Sequence, residues 1–427
     1  MQETGNAKIE KYLFYLMLVF SCLAYTGYYL YARRNGISLL ISYSRSSQTM
    51  MQASSLVILI FRFGKDVCAA VLLLVEMLSM NKSNRAKIFM CMLVVVAYGT
   101  IIALANNMTM SIIFSGYRMV LYFCALAMYF NGKNVSFISL LRFIQLLTVL
   151  LVLNTIIAAF QAYDRLGFNI ALIGQGSYRF MGLFPAAAAF AYFCLGAALF
   201  AYCVDTQSRI YHKQCVFICI IAFVGCYISG TRSSMINLLI LLFIYVIDQS
   251  KMKRGQKVFL SIILAFPVIM YILQFSTDLA NRGSILENAL GGGRFSIFFN
   301  SIFGQPLVNI IFGNGIGAGS NSAATFMSWI GSTQLLFLDG TFTAIFYQFG
   351  VIGFVACLGF IWIIVKTVYV NRGILNAALF AGTIVLQCLT TNILEAFALL
   401  IMLFVCYNTL IKASNFFQEF VLGSTES

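Results

Sequence analysis

Residues 137–160 decide the fold class of this chain, because they form one nearly uninterrupted apolar stretch. They read FISLLRFIQLLTVLLVLNTIIAAF, and Arg142 is their single charged residue. About 20 apolar residues are enough for a helix to cross the hydrocarbon core of a bilayer. A helix also satisfies its own backbone hydrogen bonds within lipid, so this stretch predicts a transmembrane helix.

Apolar stretches of the same length recur along the whole chain. The 427 residues are 61% hydrophobic and 9% charged, with a mean hydropathy of +0.92, whereas a soluble domain carries about 25% charged residues. Spans are predicted at 11–32, 52–80, 86–105, 110–130, 137–160, 181–204, 214–230, 233–249, 257–275, 341–365, 374–391 and 393–411. The sequence therefore predicts an all-α polytopic membrane protein, a single transmembrane domain over 1–427 with twelve helices. Charges at 62, 65 and 66 interrupt the stretch 52–80, which could be two pieces.

One long polar segment, residues 276–340, separates the ninth and tenth predicted spans. It contains the glycine clusters 291–293 and 313–319. We expect an external loop with short amphipathic helices, in which the run Gly313–Gly319 is flexible and closes over a substrate. This run lacks the Lys-Ser/Thr ending and the strand–loop–helix setting of a nucleotide-binding P-loop.

The formal net charge of +14 indicates membrane topology, because most of the 27 cations lie between spans and they form no soluble basic domain for nucleic acid. With both termini in the cytoplasm, the inner loops hold 15 cations, of which 11 are lysines, in agreement with the positive-inside rule. The predicted outer cations are all arginines, namely Arg33, Arg34, Arg45, Arg165, Arg179, Arg232, Arg282 and Arg294. Guanidinium groups bind phosphate oxygens in pairs. This face therefore predicts a phosphate-bearing ligand, with chance and interfacial snorkelling as the alternative.

Three of these arginines occupy positions that suit an anion. Arg232 stands in the short turn Ser229–Ser234, ahead of helical N–H groups that can bind anions. Arg294 follows three glycines and begins an amphipathic aromatic run, and Arg179 follows Tyr178 where the chain re-enters the membrane. Capping of the turn and contacts with lipid headgroups are the alternatives for these positions.

Acidic residues are scarce on the predicted outer face. Asp339 begins the span after the long loop, where it can be a helix N-cap or a site residue. Glu395 follows the turn Thr390–Asn392, and an acid so close to lipid is a functional candidate. We also expect Lys65 and Asp66 to neutralise each other within their span, and Arg118 to face the bundle interior.

The remaining residues predict no metal or cofactor site. His212 is the single histidine and falls in a predicted inner loop. The sequence contains no Ser-His-Asp arrangement, no zinc-ligand spacing and no paired-aspartate metal motif.

Five local motifs resemble those of the bacterial O-antigen polymerases and O-antigen ligases. They are Tyr178-Arg-Phe-Met-Gly-Leu-Phe184, Ser229-Gly-Thr-Arg-Ser-Ser234, Gly293-Arg-Phe-Ser-Ile-Phe298, Ile311-Phe-Gly-Asn-Gly-Ile-Gly317 and Asp339-Gly-Thr-Phe-Thr-Ala-Ile-Phe-Tyr-Gln-Phe-Gly-Val-Ile-Gly353. The number of spans and the long loop before the tenth span extend the resemblance to the whole chain. The resemblance implies glycosyl transfer between undecaprenyl-pyrophosphate-linked glycans on the periplasmic face of the bacterial inner membrane.

The resemblance, together with the positions of the outer arginines and acids, predicts roles for individual residues. The ligases typically have a histidine where this chain has Asp339, which favours a polymerase of O-antigen or a related surface polysaccharide. Arg232 and Arg294 would bind the donor pyrophosphate with support from Arg179, and Tyr178 and Arg282 complete the substrate-binding set. Asp339 or Glu395 would act on the acceptor hydroxyl. A chain-length regulator is an implied partner. A ligase that transfers glycan to lipid A core and a flippase for lipid-linked oligosaccharide remain the alternatives, although no internal repeat typical of a transporter is found.

Overall fold

The computed structural model describes residues 5–27, 56–78, 83–131, 140–164, 172–173, 177–178, 180–207, 209–249, 304–320, 338 and 340–423. Apart from loops and turns, this part of the chain is helical except for one antiparallel pair of two-residue strands, so the predicted all-α class is confirmed. The predicted span 257–275, the cluster Gly291–Gly293 and most of the loop 276–340 lie outside the described residues.

The described elements follow one another in a simple order. The helices are α1 (Gly5–Cys22), α2 (Leu56–Leu78), α3 (Ser83–Ala105), α4 (Met110–Asn131), α5 (Leu140–Asp164), α6 (Ala187–Asp205), α7 (His212–Ser229), α8 (Arg232–Gln249), α9 (Leu307–Phe312), α10 (Thr341–Thr390) and α11 (Phe397–Gly423). Strands β1 (Leu172–Ile173) and β2 (Ser177–Tyr178) lie between α5 and α6.

Six helices within the described ranges are long and apolar enough to cross a membrane. They cover Arg85–Ala105, Met110–Phe130, Leu140–Gln161, Ala187–Asp205, Arg209–Ser229 and Thr341–Thr390. Large apolar side chains such as Leu74, Val94 and Trp362 are exposed on the helix surfaces. These features fit a multi-pass membrane protein. Helix α2 is continuous from 56 to 78, so the interrupted stretch 52–80 is not divided within those residues.

Helix α10 is not one straight rod, because two glycines with positive φ break it. Gly350 has a φ of 64° and Gly373 a φ of 79°. The rings of Phe342 and Phe354 are 5.8 Å apart, whereas twelve residues of straight helix would span about 18 Å. The chain therefore bends sharply at Gly350, and this bend divides the predicted span 341–365.

The second break returns the chain to the level at which α10 began. The Thr341 N–H donates to the Thr391 carbonyl oxygen at 2.9 Å, whereas 50 residues of straight helix would separate these positions by about 75 Å. Residues 351–372 and 374–390 are thus two helical segments that run in opposite directions from Gly373.

Helix α6 is the centre of the hydrophobic core. Every residue from Phe190 to Asp205 is buried, and the helix packs against α7, α8 and α11. Its small residues let neighbours approach closely: Gly196 lies where an added Cβ would meet the Met402 side chain at 2.6 Å. Close approach through small residues is typical of helix packing in membranes.

The packing around α6 defines two ends of the bundle. Tyr122 of α4 stacks on Phe397 at the start of α11, and Gly225 of α7 packs against Phe190 near the start of α6. Phe130, later on α4, stacks on Phe404, later on α11, so these two helices run in the same direction. The α3–α4 turn and the start of α11 therefore point toward one end, which also holds the start of α6 and the α7–α8 turn. We name it the glycine-loop end, after residues Gly313–Ser320, which lie against the α3–α4 turn.

The opposite end, the His212 end, lies about 28 Å away along the 19 residues of α6. The Gln207 side chain donates there to the Thr409 carbonyl oxygen at 2.8 Å, and Arg372 donates to Gln207 at 3.2 Å. Asp205 and His212 belong to the same end.

The run Gly313–Ser320 is a buried loop, which contradicts the expectation of a flexible loop that closes over a substrate. Gly313, Gly315, Gly317 and Gly319 all have positive φ, which favours glycine. An added Cβ at Gly317 would overlap the carbonyl oxygen of Ile112. The fully buried Ile316 also donates its N–H to the Gly99 carbonyl oxygen at 2.9 Å. The glycines therefore allow the loop to pack directly on the backbones of α3 and α4.

The same loop pairs with α10 at its first break. The N–H groups of Asn314 and Gly315 donate to the carbonyl oxygens of Tyr347 and Gln348, both at 2.9 Å. Carbonyl groups just before a helix break lose their partners within the helix. The glycine loop supplies those partners, so the loop and the break at Gly350 form one unit.

We expect Gly317→Ala to lower the free energy of unfolding by about 2 kcal/mol or more, because alanine would adopt a positive φ and overlap Ile112. The measurement is the unfolding of the purified full chain in detergent. The matched control is Gly382→Ala in α10, where an added Cβ meets nothing within 4 Å and alanine favours the helix. Equal stability of the two variants would contradict the buried loop.

Candidate functional site

A charged cluster joins α2 and α4 within the bundle. Arg118 Nε donates to Asp66 Oδ1 at 2.7 Å, and Arg118 Nη2 donates to Asp66 Oδ2 at 3.0 Å. Tyr122, one turn later on α4, donates its hydroxyl to Asp66 Oδ1 at 2.6 Å. A carboxylate away from bulk water is stabilised when several donors bind it. Arg118 therefore faces a neighbouring helix, as predicted, and its guanidinium group pairs with the Asp66 carboxylate.

The ring of Phe397 connects this cluster to α11. Tyr122 stacks on that ring with centroids 3.8 Å apart and an angle of 22° between the planes. Lys65 Nζ lies 4.6 Å from the ring centroid, and Arg118 Cζ lies 5.5 Å from it. Cations near an aromatic face are attracted to it, most strongly where water is excluded. Three helices thus converge on a region that contains two cations and one carboxylate.

Glu395 lies two residues before Phe397, in the turn at the start of α11. Its side chain is half-buried, and its Oε2 accepts a hydrogen bond from Asn392 Nδ2 at 3.2 Å. The Thr341 hydroxyl donates to the Thr391 carbonyl oxygen at 2.8 Å and accepts from the Ile393 N–H at 2.8 Å. The turn that carries Glu395 is therefore fixed to the beginning of α10.

Arg232 is the first residue of α8 and is half-buried. It follows Gly230, whose φ of 64° turns the chain after α7. The Ser229 hydroxyl accepts from the Thr231 N–H at 3.2 Å and donates to the Cys226 carbonyl oxygen at 2.7 Å. These contacts hold the turn tightly, so Arg232 has a defined position at a helix N-terminus, which favours an anion.

The segment that leads into α6 is held by two amide side chains of α5. Gln161 Oε1 accepts from the Gly182 N–H at 3.1 Å, and Gln161 Nε2 donates to the Gly182 carbonyl oxygen at 2.9 Å. Asn154 Oδ1 accepts from the Leu183 N–H at 2.8 Å. Gly182 has a φ of 59°, and an added Cβ would approach Asn154 to 2.8 Å. The backbone just after position 179 is therefore fixed to α5.

The predicted site residues divide into three groups. Arg232 and Glu395 both lie at the glycine-loop end, Arg232 in the α7–α8 turn and Glu395 in the turn attached to α10. Tyr178 is described by its backbone, which pairs with Leu172 in the small sheet. Arg179, Arg282, Arg294 and Asp339 lie outside the described residues.

Sequence reasoning did not assign the cluster of Asp66, Arg118 and Tyr122 to a site. The available signal was three charges within 62–66 and a lone arginine in the predicted span 110–130, since charged groups inside membranes pair with one another. The order of the predicted spans does not show which helices are neighbours, so the contact between α2 and α4 could not be predicted. Tyr122 is uncharged, so the sequence offered no reason to select it.

His212 belongs to a separate polar group at the opposite end. Its Nδ1 lies 2.9 Å from Asp205 Oδ2, and the buried Tyr245 hydroxyl donates to the same oxygen at 2.7 Å. The length of α6 separates this group from Arg232 and Glu395. In the described part of the chain, no group of three or more His, Cys, Asp or Glu residues is placed to hold a metal ion.

No protein-family model matches this chain, and its sequence finds no match among curated proteins.

We expect Arg118→Gln to lower the free energy of unfolding by about 3 kcal/mol, because it leaves the Asp66 carboxylate without its guanidinium partner. Asp66→Asn should have a cost of similar size. The double variant Asp66→Asn/Arg118→Gln should cost less than the sum of the two, since neither charge is then left alone. Thermal unfolding of the four proteins in detergent measures this coupling, and simple additivity would show that the pair is not coupled.

Proposed function

We propose that this chain is a membrane glycosyltransferase that polymerises undecaprenyl-pyrophosphate-linked oligosaccharide repeat units of O-antigen or a related surface polysaccharide. The proposal includes twelve spans, both termini in the cytoplasm and the long loop 276–340 in the periplasm of a bacterial inner membrane. The glycine-loop end of the bundle would then face the periplasm.

The observation that carries the proposal is the convergence of the family-like motifs. Four of the five motifs have described residues, and all four lie toward the glycine-loop end. The motif 311–317 is hydrogen-bonded to the motif 339–353 through Asn314 and Gly315. The motif 229–234 begins α8, and the motif 178–184 leads into α6 at the same end. Motifs distant in sequence that share one end of a bundle are what a common site requires.

The chemistry of the proposed donor suits arginines at this end. A pyrophosphate lipid is anionic, and its charge increases as the sugar–phosphate bond breaks. Guanidinium groups held in place stabilise that developing charge more effectively than mobile ones. In the proposal Arg232 and Arg294 bind the pyrophosphate, Arg179 and Arg282 support it, and Tyr178 contacts the glycan.

The acceptor requires a group that orients or deprotonates a sugar hydroxyl. Asp339 stands two residues before Thr341, whose backbone and hydroxyl bind the turn that carries Glu395. Asp339 thus immediately precedes the start of α10, and Glu395 lies in the turn that is hydrogen-bonded to that start. We assign the acceptor side to Asp339, with Glu395 as the second candidate.

A transporter of lipid-linked oligosaccharide is the second candidate function, and the cluster of Asp66 and Arg118 favours it. Charged pairs between spans commonly line transport pathways. Incubation of the purified full chain with a synthetic lipid-linked repeat unit distinguishes the functions. Elongation supports a polymerase, transfer to added lipid A core indicates a ligase, and neither product indicates transport.

We expect Arg232→Ala and Arg294→Ala to insert normally and to lower the rate of elongation by about 100-fold or more, because each removes a charge contact with the pyrophosphate. The readout is the ladder of glycan lengths, which should end at one repeat. Arg209→Ala is the matched control, since Arg209 is exposed beside α7 at the His212 end. Normal ladders from both test variants would overturn the proposed pyrophosphate site.

The N-cap of α10 is Gly340, which corrects the alternative that Asp339 is the helix cap. We expect Asp339→Asn to abolish most elongation while leaving donor binding intact, because asparagine retains the size of the side chain but not its negative charge. Glu395→Gln is the parallel variant, and its amide oxygen can still accept from Asn392. Elongation rates and donor affinities of both variants are compared with the wild type. Whichever variant keeps full activity is excluded as the base.

A further inference from the structure

A cleft of about 520 Å³ lies between α2, α3 and α4. Its walls are almost entirely aliphatic and aromatic, and the charged residues among them are Asp66 and Arg118. Phe63, Leu93 and Phe114 line the cleft and are also exposed on the helix surface. Among the described residues the cleft therefore opens sideways on an apolar surface, where a hydrocarbon chain would be its natural occupant.

The length of the cleft matches one leaflet of a bilayer. Its lining extends from Phe63 to Leu73 on α2 and from Phe114 to Cys124 on α4. Ten residues of helix correspond to about 15 Å, and half of a hydrocarbon core is also about 15 Å. A single lipid chain lying along the helices would fill this groove.

Positive charge exceeds negative charge around the cleft. Lys65 and Asp66 are neighbours on α2, and Arg118 pairs with Asp66 from α4 while it shares the Phe397 ring with Lys65. These three residues carry a formal charge of +1. An apolar groove with surplus positive charge complements a lipid that combines a long chain with an anionic head.

We propose that this cleft binds the chain of a polyprenyl phosphate and that Arg118 binds its phosphate group. The identity of the lipid rests on the proposed function, because a glycan polymerase requires a polyprenyl carrier. The site differs from the Arg232 and Arg294 site in residues and in place, since it lies between α2, α3 and α4. It would hold the carrier lipid as it enters from, or leaves to, the bilayer.

Asp66 positions Arg118 for this role without using all of its donors. A guanidinium has five N–H groups in a fixed plane, and Asp66 accepts from Nε and from Nη2. The Nη1 donors are directed away from that shared edge, and Arg118 lines the cleft. Tyr122 fixes the carboxylate in turn. The Arg118 guanidinium is thus held in place before a phosphate binds, which lowers the entropic cost of binding.

The test is native mass spectrometry of the purified full chain with undecaprenyl phosphate, which has no sugar to transfer. Val96→Trp fills the cleft, whereas Val94→Trp places the same ring on the exposed face of the same helix. We expect Val96→Trp to weaken binding about tenfold through lost apolar contact, and Val94→Trp to bind like the wild type. A wild-type photo-crosslink from a diazirine on the lipid chain should map to α2, α3 or α4.

The charged group is tested with Asp66→Asn/Arg118→Gln, which leaves neither charge unpaired. This variant should lose the preference for undecaprenyl phosphate over undecaprenol by about tenfold. Unchanged binding by Val96→Trp, crosslinks confined to other helices, or equal displacement by phosphatidylglycerol would each overturn the inference. Binding without elongation of a repeat unit would preserve the cleft and refute the polymerase. Elongation of a repeat unit with no lipid binding in the cleft would support the polymerase and refute the lipid site.

Discussion

The hydrogen bonds between the glycine loop and the broken start of α10 are the constraint on which the glycine-loop end depends. Backbone groups inside a membrane protein must find partners within the protein, because lipid offers none. The break at Gly350 releases carbonyl groups, and Asn314 and Gly315 bind two of them. The loop can approach only because its glycines have no side chains to collide with α3 and α4. The glycines of the loop, its backbone hydrogen bonds to α10 and the bend at Gly350 therefore form one arrangement.

This arrangement also decides what can move at the proposed site. A loop buried against two helices cannot close over the proposed site, so access to that site would involve other parts of the chain. The turn with Glu395 is attached to Thr341, and Thr341 begins the segment that the glycine loop holds. The acid and the loop therefore belong to the same fixed junction. A rigid scaffold of this kind keeps reacting groups in position.

The sequence predicted the helical class and most helix positions, because long apolar stretches carry a strong signal. It predicted less about α10, since Gly350 lies within an apolar stretch that reads as one span, and its close approach to the Ile311 backbone is visible only in the fold. It also predicted the glycine run wrongly. Glycine residues can adopt positive φ angles, and both flexible loops and tightly packed loops use this property. A run of glycines therefore does not distinguish the two. Arg232 could be selected from its turn, whereas Tyr122 and Asp66 became recognisable only through the contact of α2 with α4.

The two amides of α5 have a consequence for how the protein is made. Asn154 and Gln161 are polar side chains in a span, and their partners at residues 182 and 183 come later in the chain. During synthesis α5 would thus enter the membrane with amides that lack these partners, at a cost in free energy. Helix α5 and the segment before α6 form the smallest piece that satisfies these groups. We therefore expect α5 and the segment before α6 to enter the membrane together as one unit.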